Sequence, residues 1–153
     1  MSNLFHPKTE DCYIYFVTTN IYNQEKIFLN PVVSRLFIKE VNRLKKEIGF
    51  KIFAYVIMPD HVHLLILPLF DRDISYIMMR IKGTSARVIN SMLGRTGQKL
   101  WQDEFYDYIP RNRNKVLEKI AYIHKNPVRK GLVECPEDYL FSSYRQFLRN
   151  GWI

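Results

Sequence analysis

The stretch Ala54–Pro68, AYVIMPDHVHLLILP, contains two apolar runs separated by a short break and carries two histidines one residue apart. Pro59-Asp60 is a turn-forming pair, because proline presets the backbone for a corner and aspartate bonds its own nearby backbone. The stretch therefore reads as two strands, KIFAYVIM and HVHLLILP, meeting at that turn. On a strand, residues two apart share a face. His61 and His63 accordingly point together, while Val62 and Leu64 point the other way.

Working outward, Cys12–Asn20 (CYIYFVTTN) is rich in aromatic and β-branched residues and predicts a strand. Asn30 is an N-cap and Pro31 a first helical residue for the segment that follows. There Val33, Leu36, Phe37, Val41, Leu44 and Ile48 recur at helical spacing until Gly49. A second amphipathic helix is predicted from Ile74 to about Met92, ended by LGRTGQ. FYDYIP supplies a fourth strand, and a third helix runs from Lys115 to about Lys125, stopped by Pro127. The tail reads as an irregular turn and one short helix. The order is that of a ferredoxin-like α+β fold, βαββαβ: one antiparallel sheet, helices on one face and an extra helix after the last strand. Residues 1–153 read as a single domain. This fold hosts many activities and does not decide among them.

The chain has 153 residues, 47% hydrophobic and 14% aromatic, which is a globular and not a disordered composition. No run approaches the roughly 18 apolar residues of a membrane span. The first residues, MSNLFHPKTED, lack the pattern of a secretory signal. Cys12 and Cys135 have no metal-binding spacing and are expected to be reduced thiols of a cytoplasmic protein. A net charge of +8 points to a polyanionic partner.

Two same-facing imidazoles make two adjacent corners of a metal site, although an ordinary pair on a half-exposed face has the same spacing. A third donor is offered by EKIAYIHKNPVRKG, where Tyr122 and Asn126 share a helix face if the helix persists that far. Two imidazoles and an amide oxygen suit Mg²⁺ or Mn²⁺ better than a thiolate-seeking ion. Tyr122 would then present a phenol one turn away, although a tyrosine in such a chain is more commonly a packing residue.

YVIMPDHVHLLI resembles the HUH motif (histidine, hydrophobic, histidine) of single-tyrosine transposases. LWQDEFYDYIPRN, YIHKNPVRKGLV and PEDYLFSSY resemble further blocks of one branch, the transposases associated with repetitive extragenic palindromes (REP), relatives of the insertion-sequence-200 type. The blocks occur in order over nearly the whole chain. The resemblance implies His61, His63 and Asn126 as metal ligands and Tyr122 as nucleophile. Many single-tyrosine transposases have glutamine where Asn126 stands, and asparagine is typical of this branch. It further implies cleavage and rejoining of single-stranded hairpin DNA through a 5′-phosphotyrosine, in a bacterial, nucleoid-associated protein. A monomer is implied, with the dimers of insertion-sequence relatives as the alternative.

Arg80, Lys82, Arg87, Arg95 and Lys99 flank the second helix, while Arg111, Arg113, Lys115, Lys119, Lys125, Arg129 and Lys130 surround the third. These are the candidate phosphate contacts. Trp101, Phe105, Tyr106 and Tyr108 are candidate stacking residues. His124 points away from the Tyr122 face and reads as a DNA contact or surface residue, and as a weaker fourth ligand. Two alternatives stay open: a catalytically idle hairpin-binding module, and a metal-dependent phosphodiesterase using water as nucleophile.

Overall fold

A computed structural model describes residues 13–153. Cys12 and His6 lie outside the described residues, and Cys135 is an exposed free thiol. The elements follow in the expected order: β1 (Tyr15–Asn20), α1 (Pro31–Leu44), β2 (Phe50–Ile57), β3 (His61–Pro68), α2 (Ile74–Met92), β4 (Tyr106–Tyr108), α3 (Arg113–Arg129) and α4 (Tyr144–Arg149). The strands form one antiparallel sheet in the order β2-β3-β1-β4.

The sheet is covered on both faces. Val17, Val62, Leu64 and Ile66 pack under α1 and α2, against Phe37, Val41, Leu44, Ile77 and Ile81. Phe16, Ala54, Val56 and Leu65 face the other way, against Val116, Ile120 and Ile123 of α3 and Phe147 of α4. Alternation along β3 thus sends its odd residues, His61 and His63 included, to the α3 side. In β2 the register shifts between Ile52 and Ala54, so that Phe53 is an extra residue. The shift lets Ile52 pack with α1 and α2 while Ala54 and Val56 pack with α3.

Local chemistry explains the ends. The side chain of Asn30 accepts from the amide of Val32 with Pro31 at the first helical position, as the sequence predicts. One π turn, Lys45–Gly49, closes that segment, and Gly49 takes the left-handed φ of 94° that the reversal into β2 requires. Asp73 caps α2 by accepting from Ser75, and Asn112 caps α3 by accepting from Lys115.

One boundary corrects the sequence reading. Pro127 does not stop the third helix, which continues to Arg129 and ends before Gly131 at φ 73°. Proline in the last turn forfeits a single amide donor, and the turn survives through the amide of Lys130 bonding the carbonyl of Asn126. That extra turn keeps Asn126 on the helical face of Tyr122.

Candidate active site

β1, β3 and β4 form the floor of the site and α3 its wall. Across one row of the sheet, Tyr106, Thr18 and His63 are successive cross-strand partners on the α3 side. The next row holds Tyr108, Phe16 and Leu65. The His61 and His63 rings meet edge to face with centroids 4.8 Å apart. The Tyr122 ring, half-buried on α3, meets His63 at 5.5 Å and Phe16 at 5.8 Å, both edge to face. His61, His63 and Tyr122 are thus brought together. Asn126 lies one turn beyond Tyr122, fully buried, with its amide oxygen 3.4 Å from a guanidinium nitrogen of Arg129.

Each histidine has one ring nitrogen engaged. Asp60 Oδ1 lies 2.6 Å from Nδ1 of His61, and Thr18 Oγ1 lies 2.8 Å from Nδ1 of His63. Partners of this kind orient imidazoles that bind metal through the other nitrogen. Burial, with repulsion from His61, Arg129, Lys119 and Lys130, pushes the His63 imidazolium down to about 3. His63 is therefore a neutral, lone-pair-bearing ring at physiological pH. Among the described residues no cluster of three His, Cys, Asp or Glu side chains could hold an ion. A cation here would need an oxygen donor of another kind, which an asparagine amide provides, so the residue set fits a borderline-hard divalent ion.

The cations divide between the two faces. Lys119 and Arg129 flank the Tyr122 ring, with Arg129 Cζ 4.3 Å and Lys119 Nζ 5.4 Å from its centroid. Arg111, Arg113, Lys125 and Lys130 are exposed along or beside α3. Lys115 pairs with Glu118 at 3.1 Å. Arg80 and Arg87 travel with α2 on the opposite face, where Arg80 pairs with Glu47 at 2.7 Å. Arg95 pairs with Glu25 and Lys99 with Asp103, at 2.7 and 2.9 Å.

Three expectations need correction. Lys82 is not poised for phosphate: its ammonium donates to the carbonyls of Gln102 and Asp103 at 2.6 and 3.0 Å, tying the loop before β4 to α2. His124 is not a surface residue. It is 3% exposed, 2.8 Å from the Ser143 hydroxyl and packed on Tyr144 and Phe147, because α4 covers that side of α3. Trp101 is not a stacking platform, being buried with its indole donating to Ser85. Phe105 packs against the same core, and Tyr108 lies beneath Lys119, which leaves Tyr106 as the exposed aromatic of the four. Thr18 and Asp60 were missed by sequence reasoning. Asp60 adjoins the histidine motif and reads in the sequence as a turn residue, whereas Thr18 becomes visible only through strand register.

His61 and Tyr122 are each partly exposed at the site, while His63 is buried. A cavity of about 240 Å³ between α1, β2 and α4, and one of about 400 Å³ between α3 and α4, both lie away from His61, His63 and Tyr122.

Comparison with known proteins identifies the family. The family profile described as Transposase IS200 like matches residues 8–126, which include both histidines, Tyr122 and Asn126. The REP-associated tyrosine transposase of Escherichia coli (strain K12) is 27% identical over 138 residues, covering 90% of this chain and 79% of its own. A relative from Haemophilus influenzae is 26% identical over 142 residues, covering 87% and 80%. A solved REP-associated tyrosine transposase bound to a REP hairpin superposes with a TM-score of 0.79 at 25% identity, over 91% of this chain and 81% of that one. The resemblance to REP-associated tyrosine transposases is thereby borne out. The chain belongs to the IS200-like transposase family and is a DNA transposase.

Proposed function

We propose that residues 1–153 act as one HUH domain, as a cytoplasmic, nucleoid-associated monomer, on single-stranded DNA folded as an imperfect hairpin. Tyr122 cleaves and rejoins that strand. The observation that carries the reading is the edge-to-face contact of Tyr122 with His63 at 5.5 Å, between two cations. The hairpin substrate is drawn from the relative whose structure holds a REP hairpin. No helix among the described residues is long and apolar enough to cross a membrane.

In the reaction, the phenol oxygen of Tyr122 attacks the scissile phosphorus. A tyrosyl–phosphorus bond forms as the bond to the 3′ oxygen breaks. The phenol gives its proton to water, and the departing 3′ oxygen takes one from water, leaving a free 3′-hydroxyl. The downstream strand stays attached as a 5′-phosphotyrosine, whose ester retains the bond energy, so attack by another 3′-hydroxyl rejoins DNA without ATP. A divalent cation, Mg²⁺ or Mn²⁺, held by His61, His63 and Asn126 would polarise the phosphodiester and offset its developing charge. Asp60 and Thr18 orient the two imidazoles, and burial keeps His63 neutral. Arg129 stacks on the Tyr122 ring and restricts its swing.

The test is capture of the covalent adduct. Single-stranded DNA carrying the palindromes that flank the gene, labelled 3′ of the candidate cleavage sites, is incubated with protein and Mn²⁺ or Mg²⁺ and run on a denaturing gel. A metal-dependent adduct that is lost in Tyr122→Phe and in His61→Ala is the expected result. Cleavage that persists in Tyr122→Phe without an adduct would instead identify water as the nucleophile. Binding with no cleavage would indicate an idle module.

A further inference from the structure

Lys119 precedes Tyr122 by three residues, so both side chains leave α3 on one face, toward the sheet. Its ammonium does not extend into open solvent. Nζ stands 4.5 Å from the centre of the Phe16 ring, 4.9 Å from that of Tyr108 and 5.4 Å from that of Tyr122. Phe16 and Tyr108 are cross-strand partners on β1 and β4, so the cage is built on the sheet itself.

Aromatic faces attract an ammonium through their quadrupoles but accept none of its hydrogen bonds in the ordinary sense. Among the described residues, no carboxylate or other acceptor engages Lys119. Asp60, the acidic group of the site, is hydrogen-bonded to His61. Lys119 is thus held in place beside the proposed nucleophile, half-shielded from water, with its N–H donors uncommitted. Lys115 on the same helix is the contrast, exposed and paired with Glu118. A cation fixed by rings and lacking an anion is matched by an anionic oxygen supplied by the substrate.

We infer that Lys119 is a catalytic residue: its ammonium pairs with a non-bridging oxygen of the phosphate that Tyr122 attacks, and the Phe16–Tyr108–Tyr122 cage holds it in position. The inference rests on the reading of Tyr122 as nucleophile. In this step Lys119 acts through its charge and takes no part in proton transfer. As phosphorus becomes five-coordinate, charge gathers on its non-bridging oxygens, and a fixed cation there stabilises the transition state more than the ground state. The cage also explains why the side chain need not reorganise when substrate arrives.

The experiment measures adduct formation in single turnover, at saturating protein and metal, on two hairpins. One has an ordinary scissile phosphate. The other has a methylphosphonate there, in which an uncharged methyl replaces one non-bridging oxygen, with the diastereomers separated. Lys119→Met removes the charge and keeps a long side chain for the rings, and Lys119→Arg restores a charge. Lys119→Gln is a second neutral variant, so that a folding defect peculiar to one substitution does not decide the result.

On the ordinary phosphate, the neutral variants should slow adduct formation by about 100-fold, the scale of losing one preorganised charge contact. Lys119→Arg should recover about 10-fold of that loss, since a guanidinium also pairs with phosphate oxygens. On at least one methylphosphonate diastereomer, wild type and neutral variants should differ by less than about 3-fold, because the paired oxygen is gone. Equal rates for wild type and neutral variants on the ordinary phosphate would overturn the inference. An equal loss on all substrates would overturn it too, by showing that Lys119 only packs. Failure of the underlying reading is distinct: wild type would give no adduct, or Tyr122→Phe would still give one.

Discussion

The hydroxyl of Thr18 lies 2.8 Å from Nδ1 of His63, across the β1–β3 ladder. It serves the second histidine as Asp60 serves the first, and both contacts leave Nε2 as the nitrogen that would face the proposed metal. Outer partners of metal-binding histidines typically contribute 10- to 100-fold in metal affinity (about that range). Thr18→Val, nearly isosteric, should raise the Mn²⁺ concentration needed for half-maximal adduct by about 10-fold or more at unchanged hairpin affinity. A Mn²⁺ titration of adduct yield decides it; an unchanged midpoint would remove Thr18 from the site.

Lys82 and Lys130 should separate stability from DNA binding. The Lys82 ammonium serves two loop carbonyls, so Lys82→Met should cost about 1–2 kcal/mol of folding stability and leave the salt dependence of hairpin binding unchanged. Lys130 is exposed at the end of α3, and Lys130→Met should lower the slope of log affinity against log salt by about 1 with little effect on stability. Urea unfolding and salt-series binding measure the two. A change of slope for Lys82→Met would mean that the α2 face meets DNA.

Stability should fall in mild acid through His124. Burial lowers its imidazolium from 6.5 to about 4, so between those values the unfolded chain binds more protons than the folded one. Its contribution is complete above pH 6.5 and is lost as pH falls toward 4. The loss amounts to about 3 kcal/mol, an upper figure for one buried ring. His124→Gln keeps a hydrogen-bonding group near Ser143 without titrating in this range. Urea midpoints of the two proteins from pH 7 to 4 should converge as pH falls; parallel curves would contradict the assignment.

Thr19 carries the opposite kind of defect. It is fully buried under α1 and α2, and its hydroxyl has no partner among the described residues. Thr19→Val keeps the shape and removes the unpaired oxygen, and should stabilise the protein by about 1 kcal/mol. Chemical denaturation would register the gain, while a loss would show that the hydroxyl has a partner in solution.

Alternation and capping are local, and they made much of the fold legible in the sequence. The His61–His63 pair, the Asn30 cap and the limits of α2 all follow from neighbours in the chain. What was illegible depended on contacts distant in sequence. Periodicity turned His124 away from Tyr122 but could not show α4 lying over it. Charge counting grouped Lys82 with Lys119, although one anchors a loop and the other sits among rings contributed by three elements. Pro127 carries a strong helix-breaking signal, yet in a last turn it removes only one bond.

The Phe53 bulge also bears on how the molecule behaves among its own copies. β2 is an outer strand, and unpaired outer strands are templates for aggregation. Residues 141–143 bond its far half, through Ile57 to the Phe141 carbonyl and Ser143 to the Tyr55 carbonyl. The bulge interrupts the near half, and the opposite outer strand, β4, spans only three residues. Among the described residues, neither border of the sheet presents a long regular rail of amides and carbonyls, so growth by strand addition is discouraged.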